Sequence, residues 1–174
     1  MFEITRQIGI DAGHRIPNHL SKCRNVHGHR YEIMATCRSD ELVEGGNEEG
    51  MVMDFSFLKE EMMCAIDECC DHSFIISSED KSMINTFGVS LSDVINVRNT
   101  GEGQLVDNEI KNKVYMIPFS PTAENLAKHW YGLLAKQIKK RTNGLAWLHK
   151  IVVYETPNSS ATYPQKNEIS TRPI

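Results

Sequence analysis

The chain has 174 residues, with 19 Lys and Arg against 23 Asp and Glu, a formal net charge of −4, and 40% apolar residues. That composition suits a soluble globular domain and excludes a disordered, collagenous or disulfide-dependent chain. No apolar run approaches the ~18–20 residues of a membrane span, no basic leader precedes an apolar stretch, and no block of Lys and Arg marks a nucleic-acid surface, so a cytoplasmic protein with neither membrane nor nucleic acid as partner is expected.

From the N-terminus, Phe2, Ile4, Ile8 and Ile10 alternate with Glu3, Thr5, Gln7 and Gly9, which predicts a half-buried strand with one flaw, Arg6 on the apolar side. Residues 12–26 read as a loop rich in Gly, Pro, Asn and His. A second strand follows over 27–38, with Tyr31, Ile33, Ala35 and Cys37 sharing a face. Gly45, Gly46 and Gly50 among acidic residues signal a turn, and Met51-Val52-Met53 reads as a short strand. Asp54 is then an N-cap for a helix whose apolar positions are Phe55, Leu58, Met62, Ala65 or Ile66, and Cys69.

The stretch 77–119 mixes Ser, Asn, Gly and charges with short apolar pieces, and an extra strand is expected over 113–119. A structureless loop of that length is unusual, so it is either an embellishment with its own structure or a partly mobile flap. Thr122 caps a second helix with Leu126, Trp130, Leu133 and Leu134 on one face and Lys136, Lys139, Lys140 and Arg141 toward the carboxyl end, as the helix dipole favours. A last strand over 150–156 places Ile151, Val153 and Glu155 on one face. Strand, strand, helix, helix, strand with hairpin-like connections gives an α+β fold. Five cysteines (Cys23, Cys37, Cys64, Cys69, Cys70) is an odd number and reads as reduced thiols. Cys37, Cys64 and Cys69 fall at core-periodic positions, and the Cys69-Cys70 pair reads as small helix-end residues.

Three groups of residues point to chemistry. His27 and His29 are two apart on a strand and project to one side, and His14 precedes them across the loop. Three imidazoles suit a tetrahedral Zn²⁺ and leave the fourth position for water or substrate. Gly28 between the two permits a close approach of backbone or ligand. The spacing leaves this open site and a closed one with Cys23 as fourth ligand equally available. His19, His129 and His149 lack a companion pattern and are expected at the surface. Asp71-His72 is either a helix end stabilised by a cationic His or a carboxylate-oriented imidazole that tunes Cys23. Glu155, on an apolar face, calls for a partner; a cyclic amidine with adjacent NH₂ and NH groups would pair with it bidentately, and the other reading is a strand-end carboxylate turned into water.

Together, Asp11-Ala12-Gly13-His14-Arg15, Cys23 with His27-Gly28-His29, Gly50-Met51-Val52-Met53-Asp54-Phe55, Asp71-His72, Pro121-Thr122-Ala123-Glu124-Asn125-Leu126 and Tyr154-Glu155-Thr156 resemble the 6-pyruvoyl-tetrahydropterin synthase / 6-carboxy-tetrahydropterin synthase family of the tunnelling (T-fold) superfamily. The resemblance implies zinc on His14, His27 and His29, Cys23 as catalytic base beside an open metal, and Asp71 and His72 as its proton relay. It also implies Glu155 as pterin anchor within the catalytic set and Thr122 as a further substrate contact. The compact Cys-x-x-x-His-Gly-His form is similar to the 6-carboxy branch. That branch converts 7,8-dihydroneopterin triphosphate to 6-carboxy-5,6,7,8-tetrahydropterin, acetaldehyde and triphosphate on the way to queuosine.

The implied architecture is one domain over 1–174, with an insertion at 77–119. It is a four-stranded antiparallel sheet with two helices on one face, assembled into barrel-forming trimers or hexamers with the site between subunits. The alternatives are the 6-pyruvoyl reaction, or a zinc-containing T-fold protein that binds a pterin- or purine-like ligand without turnover.

Overall fold

The computed structural model describes residues 1–164; the last ten residues of the expected 1–174 domain lie outside them. Strand β1 (Phe2–His14) leads through a loop holding a 3₁₀ turn (Lys22–Arg24) into β2 (His27–Ser39). Helix α1 (Phe55–Met62) continues through a π turn (Met63–Asp67) into α2 (Glu68–Cys70) and then β3 (Ser73–Ser77). Helices α3 (Lys81–Phe87) and α4 (Leu91–Thr100) precede β4 (Gln104–Val106) and β5 (Val114–Ile117). Helix α5 (Ala123–Arg141), β6 (Ala146–Thr156) and β7 (Ser159–Tyr163) close the described chain.

The sheet has seven strands in the order β4-β5-β3-β1-β2-β6-β7. Strands β1, β2, β6 and β7 form an antiparallel run, with β1 and β2 paired in unbroken register from Phe2 opposite Ser39 to His14 opposite His27. The expected four-stranded antiparallel sheet with two helices is thus a subset of a larger mixed one, to which α3 and α4 add further helices. After α2 the chain does not return by a hairpin: β3 lies parallel to β1, β5 parallel to β3, and β4 antiparallel to β5. Parallel neighbours require a crossover, and α3 and α4 supply the one between β3 and β5.

The alternation read in β1 and β2 holds. Ile8, Ile10, Ala12 and His14 point inward beside Tyr31, Ile33, Ala35 and Cys37, β6 extends this face with Ile151 and Val153, and α1 and α5 cover it with Leu58, Met62, Leu126 and Trp130. The β2–β6 register shifts between Thr36 and Cys37, where His149 is the extra residue. This bulge lets Leu148 and Ile151, three apart, both face the core. Gly13 sits where β3 crosses: a Cβ there would come within 2.6 Å of the Phe74 ring. The segment 77–119 carries a second core of Ile76, Met83, Phe87, Val94, Val97, Val106, Val114 and Met116, so it is a structured embellishment, not a flap.

Four local expectations are corrected. Met51-Val52-Met53 is not a strand but the return of a tight loop, with the Val43 N–H on the Met51 carbonyl and the Gly50 N–H on the Val43 carbonyl, each at 2.9 Å, and Val52 and Met53 buried. Cys64 is exposed and Cys69 half-buried, whereas Cys37 is core, its thiol pushed up to about 12 by burial. His129 is not a surface residue; it is half-buried and shares a hydrogen bond of 2.8 Å with the Tyr115 hydroxyl. Strands β3, β4 and β7 arise where no strand was predicted, and β1 runs on to His14, so residues 12–14 are strand and not the start of the loop. Among the described residues no helix is long and apolar enough to cross a membrane.

Candidate active site

Because β1, β3 and β5 run the same way, their carboxyl ends lie on one rim, which is where ligands gather in sheets of this kind. His14 ends β1, and Pro121 and Thr122 follow β5. Antiparallel pairing sets His27 directly across from His14 and His29 across from Ala12, so strand geometry alone brings three imidazoles together. Their centroids are 4.6, 5.2 and 5.0 Å apart, and one nitrogen from each lies within 4.8 Å of the others. The close approach at Gly28 is to backbone: a Cβ there would lie 3.2 Å from the Ala12 carbonyl oxygen.

The ring orientations are set by backbone. His14 Nδ1 is 2.8 Å from the Pro121 carbonyl oxygen and His27 Nδ1 is 2.7 Å from that of Asn25. A carbonyl only accepts, so both rings carry their proton on Nδ1 and present a bare Nε2. His14 is 2% exposed, and its Nε2 is buried without a hydrogen-bond partner. An orphaned buried acceptor costs on the order of 1–3 kcal/mol, which a cation at the junction of the three rings would remove. Burial drives His14 down to about 4, and burial followed by the neighbouring His27 lowers His29, so these rings are neutral, as metal ligation requires, at physiological pH. The donor set and its carbonyl-held outer partners therefore fit a metal ion.

A cavity of about 310 Å³ opens beside these rings, and His14, Cys23, His27, Thr122, Glu124 and Glu155 line it. That volume suits a small bicyclic ligand. Glu155 is half-buried on the face of Ile151 and Val153, with Oε1 3.9 Å from His14 Nε2. Burial raises its carboxyl above the ordinary range, and the nearby Glu124 adds to this. Tyr31 sits edge-on beneath His14 and His29, with burial and then the charge of Glu155 holding its phenol protonated. Thr122 caps α5 by accepting the Asn125 N–H at 3.3 Å, so the positive end of a long helix faces the cavity. Cys23 lies in the 3₁₀ turn, half-buried.

Asp71 and His72 form a tight pair elsewhere. Asp71 Oδ2 is 2.6 Å from His72 Nδ1, and Oδ1 accepts the Asp11 N–H at 2.8 Å. The Asp11 N–H, and after it His72, hold the carboxyl below its ordinary range. The His72 N–H donates to the Asp11 carbonyl at 2.7 Å and Lys113 Nζ to the Asp71 carbonyl at 2.7 Å, fixing His72 at a φ of 54° with its side chain 78% exposed. His72 borders a second cavity, with Val26, Phe74 and Lys113. No hydrogen bond or ion pair among the described residues joins the pair to Cys23 of the same chain. The chain thus gathers His14, His27, His29, Cys23, Thr122 and Glu155 at one cavity and sets Asp71 and His72 at another.

The sequence reading missed Tyr31 and Glu124 as part of this site. Tyr31 continues the same-face series His27, His29, and Glu124 stands in the first turn after the Thr122 cap, so both carried a signal.

A family described as 6-pyruvoyl tetrahydropterin synthase matches residues 3–166. The 6-carboxy-5,6,7,8-tetrahydropterin synthase of Rickettsia felis is 34% identical over 161 residues, covering 91% of this chain and 96% of its own. The protein of that name from Aquifex aeolicus is 31% identical, covering 95% and 99%. Among solved structures, an uncharacterised protein of Wolinella succinogenes shares the fold at a TM-score of 0.71 and 23% identity, covering 95% of this chain and 98% of its own. The 6-pyruvoyltetrahydropterin synthase of Plasmodium vivax does so at 0.62 and 18%, covering 92% and 95%.

Proposed function

Because the chain belongs to the 6-pyruvoyl tetrahydropterin synthase family, we propose that it is a zinc-dependent lyase. Its reaction takes 7,8-dihydroneopterin triphosphate and water to 6-carboxy-5,6,7,8-tetrahydropterin, acetaldehyde and triphosphate, in the route to queuosine. The observation that carries this reading is the buried, unpartnered Nε2 of His14, shared with His27 and His29, at the edge of a cavity that also holds Cys23, Thr122 and Glu155. The names of relatives that match nearly end to end support the 6-carboxy product.

His14, His27 and His29 would hold the zinc, which when bound supplies Lewis acidity to the side-chain oxygens of the substrate. The rest falls to the chain. Glu155 pairs with the amidine edge of the pterin, and Thr122 at the head of α5 borders the ring. Cys23 takes a proton from the substrate side chain as thiolate. Asp71, anchored on the Asp11 N–H, orients His72 by accepting its Nδ1–H, which leaves the outer nitrogen free to exchange protons. Since His72 borders a different cavity from its own Cys23, the pair serves the cavity of a neighbouring copy. The active form is accordingly a homo-oligomer, a trimer or hexamer, with sites between subunits. One cytoplasmic domain over 1–174 carries this machinery, with 77–119 as an insertion.

The test is anaerobic incubation of zinc-loaded protein with 7,8-dihydroneopterin triphosphate, products read by mass spectrometry. A 6-carboxy product with acetaldehyde, absent with Cys23→Ala, is expected. A 6-pyruvoyl product would move the protein to the other branch, and no turnover would sink the lyase reading.

A further inference from the structure

The loop 15–26, which carries Cys23, is poorly tied to the molecule. Leu20 on it is 99% exposed, and its only regular structure is one 3₁₀ turn. Its hydrogen bonds stay within the loop or reach His27, with one exception among the described residues. That exception is Arg15. Its Nε donates to Asp80 Oδ2 and its Nη2 to Asp80 Oδ1, both at 2.7 Å, a bidentate pair in which Asp80 is 4% exposed.

Each end of this pair is anchored. Asp80 caps α3 by accepting the Met83 N–H at 3.2 Å, and α3 packs on the second core. On the other side Arg15 is followed by Ile16, whose N–H donates to the Cys23 carbonyl at 2.8 Å and whose carbonyl accepts the His19 N–H at 3.0 Å. The topology makes this possible, since parallel pairing of β1 with β3 brings residue 15 and residue 80 to the same rim. A structured element thus reaches the backbone of Cys23 through one ion pair and one hydrogen bond.

We propose that Arg15 and Asp80 are positioning residues through which the segment 77–119 clamps the Cys23 loop over the cavity. The proposal rests on the reading of Cys23 as the base. A shift of about 1 Å in a reacting group can cost on the order of 100-fold in rate, so a loop with one outside tether makes that tether rate-determining for the geometry. The segment's role is then mechanical: it sets where the thiol stands without touching substrate.

The test reads Cys23 itself. Iodoacetamide alkylation of Cys23, quantified by peptide mass spectrometry, is compared in wild type, Arg15→Met, Asp80→Asn and the double variant. Asp80→Asn keeps a cap for α3, and the double variant leaves no buried charge unpaired, so a folded protein is available even where Arg15→Met alone is lost. Expected is an alkylation rate at Cys23 altered about threefold or more, with Cys37 and Cys70 still protected and zinc content unchanged. With substrate, kcat should fall about tenfold or more while KM stays within about twofold, and Arg15→Lys, which keeps the charge, should recover part of the loss. Unchanged Cys23 alkylation in the double variant would overturn the clamp, as would parallel exposure of Cys37 and Cys70, which marks general loosening. The alkylation arm needs no turnover, so an inactive wild type would count against the lyase reading alone.

Discussion

The Nδ1 proton of His14 is donated to the Pro121 carbonyl oxygen across 2.8 Å, and that bond decides which nitrogen of the ring remains for a ligand. Residue 121 precedes the N-cap of α5, so the start of a 19-residue helix and the end of the first strand are fixed against one another at the metal site. The same logic repeats with Asn25 and His27. Two of the three rings are therefore held by main-chain carbonyls, which side-chain substitution cannot remove.

If the three imidazoles hold zinc, His27→Ala should cost about 100-fold or more in zinc affinity, beyond the usual cost of losing an outer partner. Metal analysis of the purified variant by mass spectrometry checks this; full zinc occupancy would refute the ligand assignment.

Cys23→Ala should retain zinc and lose turnover by about 100- to 10,000-fold, the range for removing a general base. Loss of zinc together with activity would instead make Cys23 a fourth ligand and the site a structural one.

Glu155→Gln keeps the shape of the side chain and removes its charge. If the carboxylate pairs with the ring edge of the pterin, the variant should bind about 10- to 100-fold more weakly, the worth of a charged buried hydrogen bond. Titration followed by pterin fluorescence reads the change, and equal affinity would remove Glu155 from the recognition of substrate.

If Asp71 and His72 act on another copy, complementation is a direct test. Cys23→Ala and His72→Ala proteins, each inactive alone, should regain activity when dissociated and reassembled together. Failure of mixed assemblies to turn over would return the pair to a structural role.

The half-buried His129 gives a pH dependence of stability. Burial holds its ring at about 4 in the folded protein against 6.5 for the free side chain. The unfolded chain takes up this proton first, so the stability due to the neutral ring is full above pH 6.5 and is lost as pH falls toward 4, by at most on the order of 3 kcal/mol. Denaturant titrations from pH 7 to 4 should show a flatter decline in His129→Gln; equal slopes would mean the ring is solvated.

Much of the antiparallel half was legible because it is local. Period-two alternation located β1 and β2 and the inward face of β6, and Asp54 and Thr122 marked helix starts that the structure caps at Ser56 and Asn125. Strand geometry put His27 and His29 on one side, and His14, read in the loop, joins them because β1 runs further than its pattern. What escaped depends on distant partners. Strand β3 is five residues long and is a strand only because β1 and β5 flank it. His129 is half-buried against Tyr115; the pattern gave the strand that carries Tyr115 but not its contact with α5. The exposure of Cys64 has a local cause. The buried positions Leu58, Met62, Ile66 and Cys70 recur every four residues, a stripe that an ideal 3.6-residue helix would rotate off the core, and the π turn at Met63–Asp67 absorbs the difference.

The parallel run β1-β3-β5 also bears on the order in which the molecule assembles. Pro121 reaches His14 only once β5 has joined β3 and β3 has joined β1, pairings that close loops of about 60 and 40 residues and are among the slower events of folding. The β1–β2 hairpin can bring three imidazoles near one another early, but the ring of His14 acquires its final tautomer and tilt late. Metal captured by the nascent hairpin would meet mobile ligands, and tight binding would follow docking of the distant strands. Uptake of an ion by these rings would thus report that residues far along the chain have found their places.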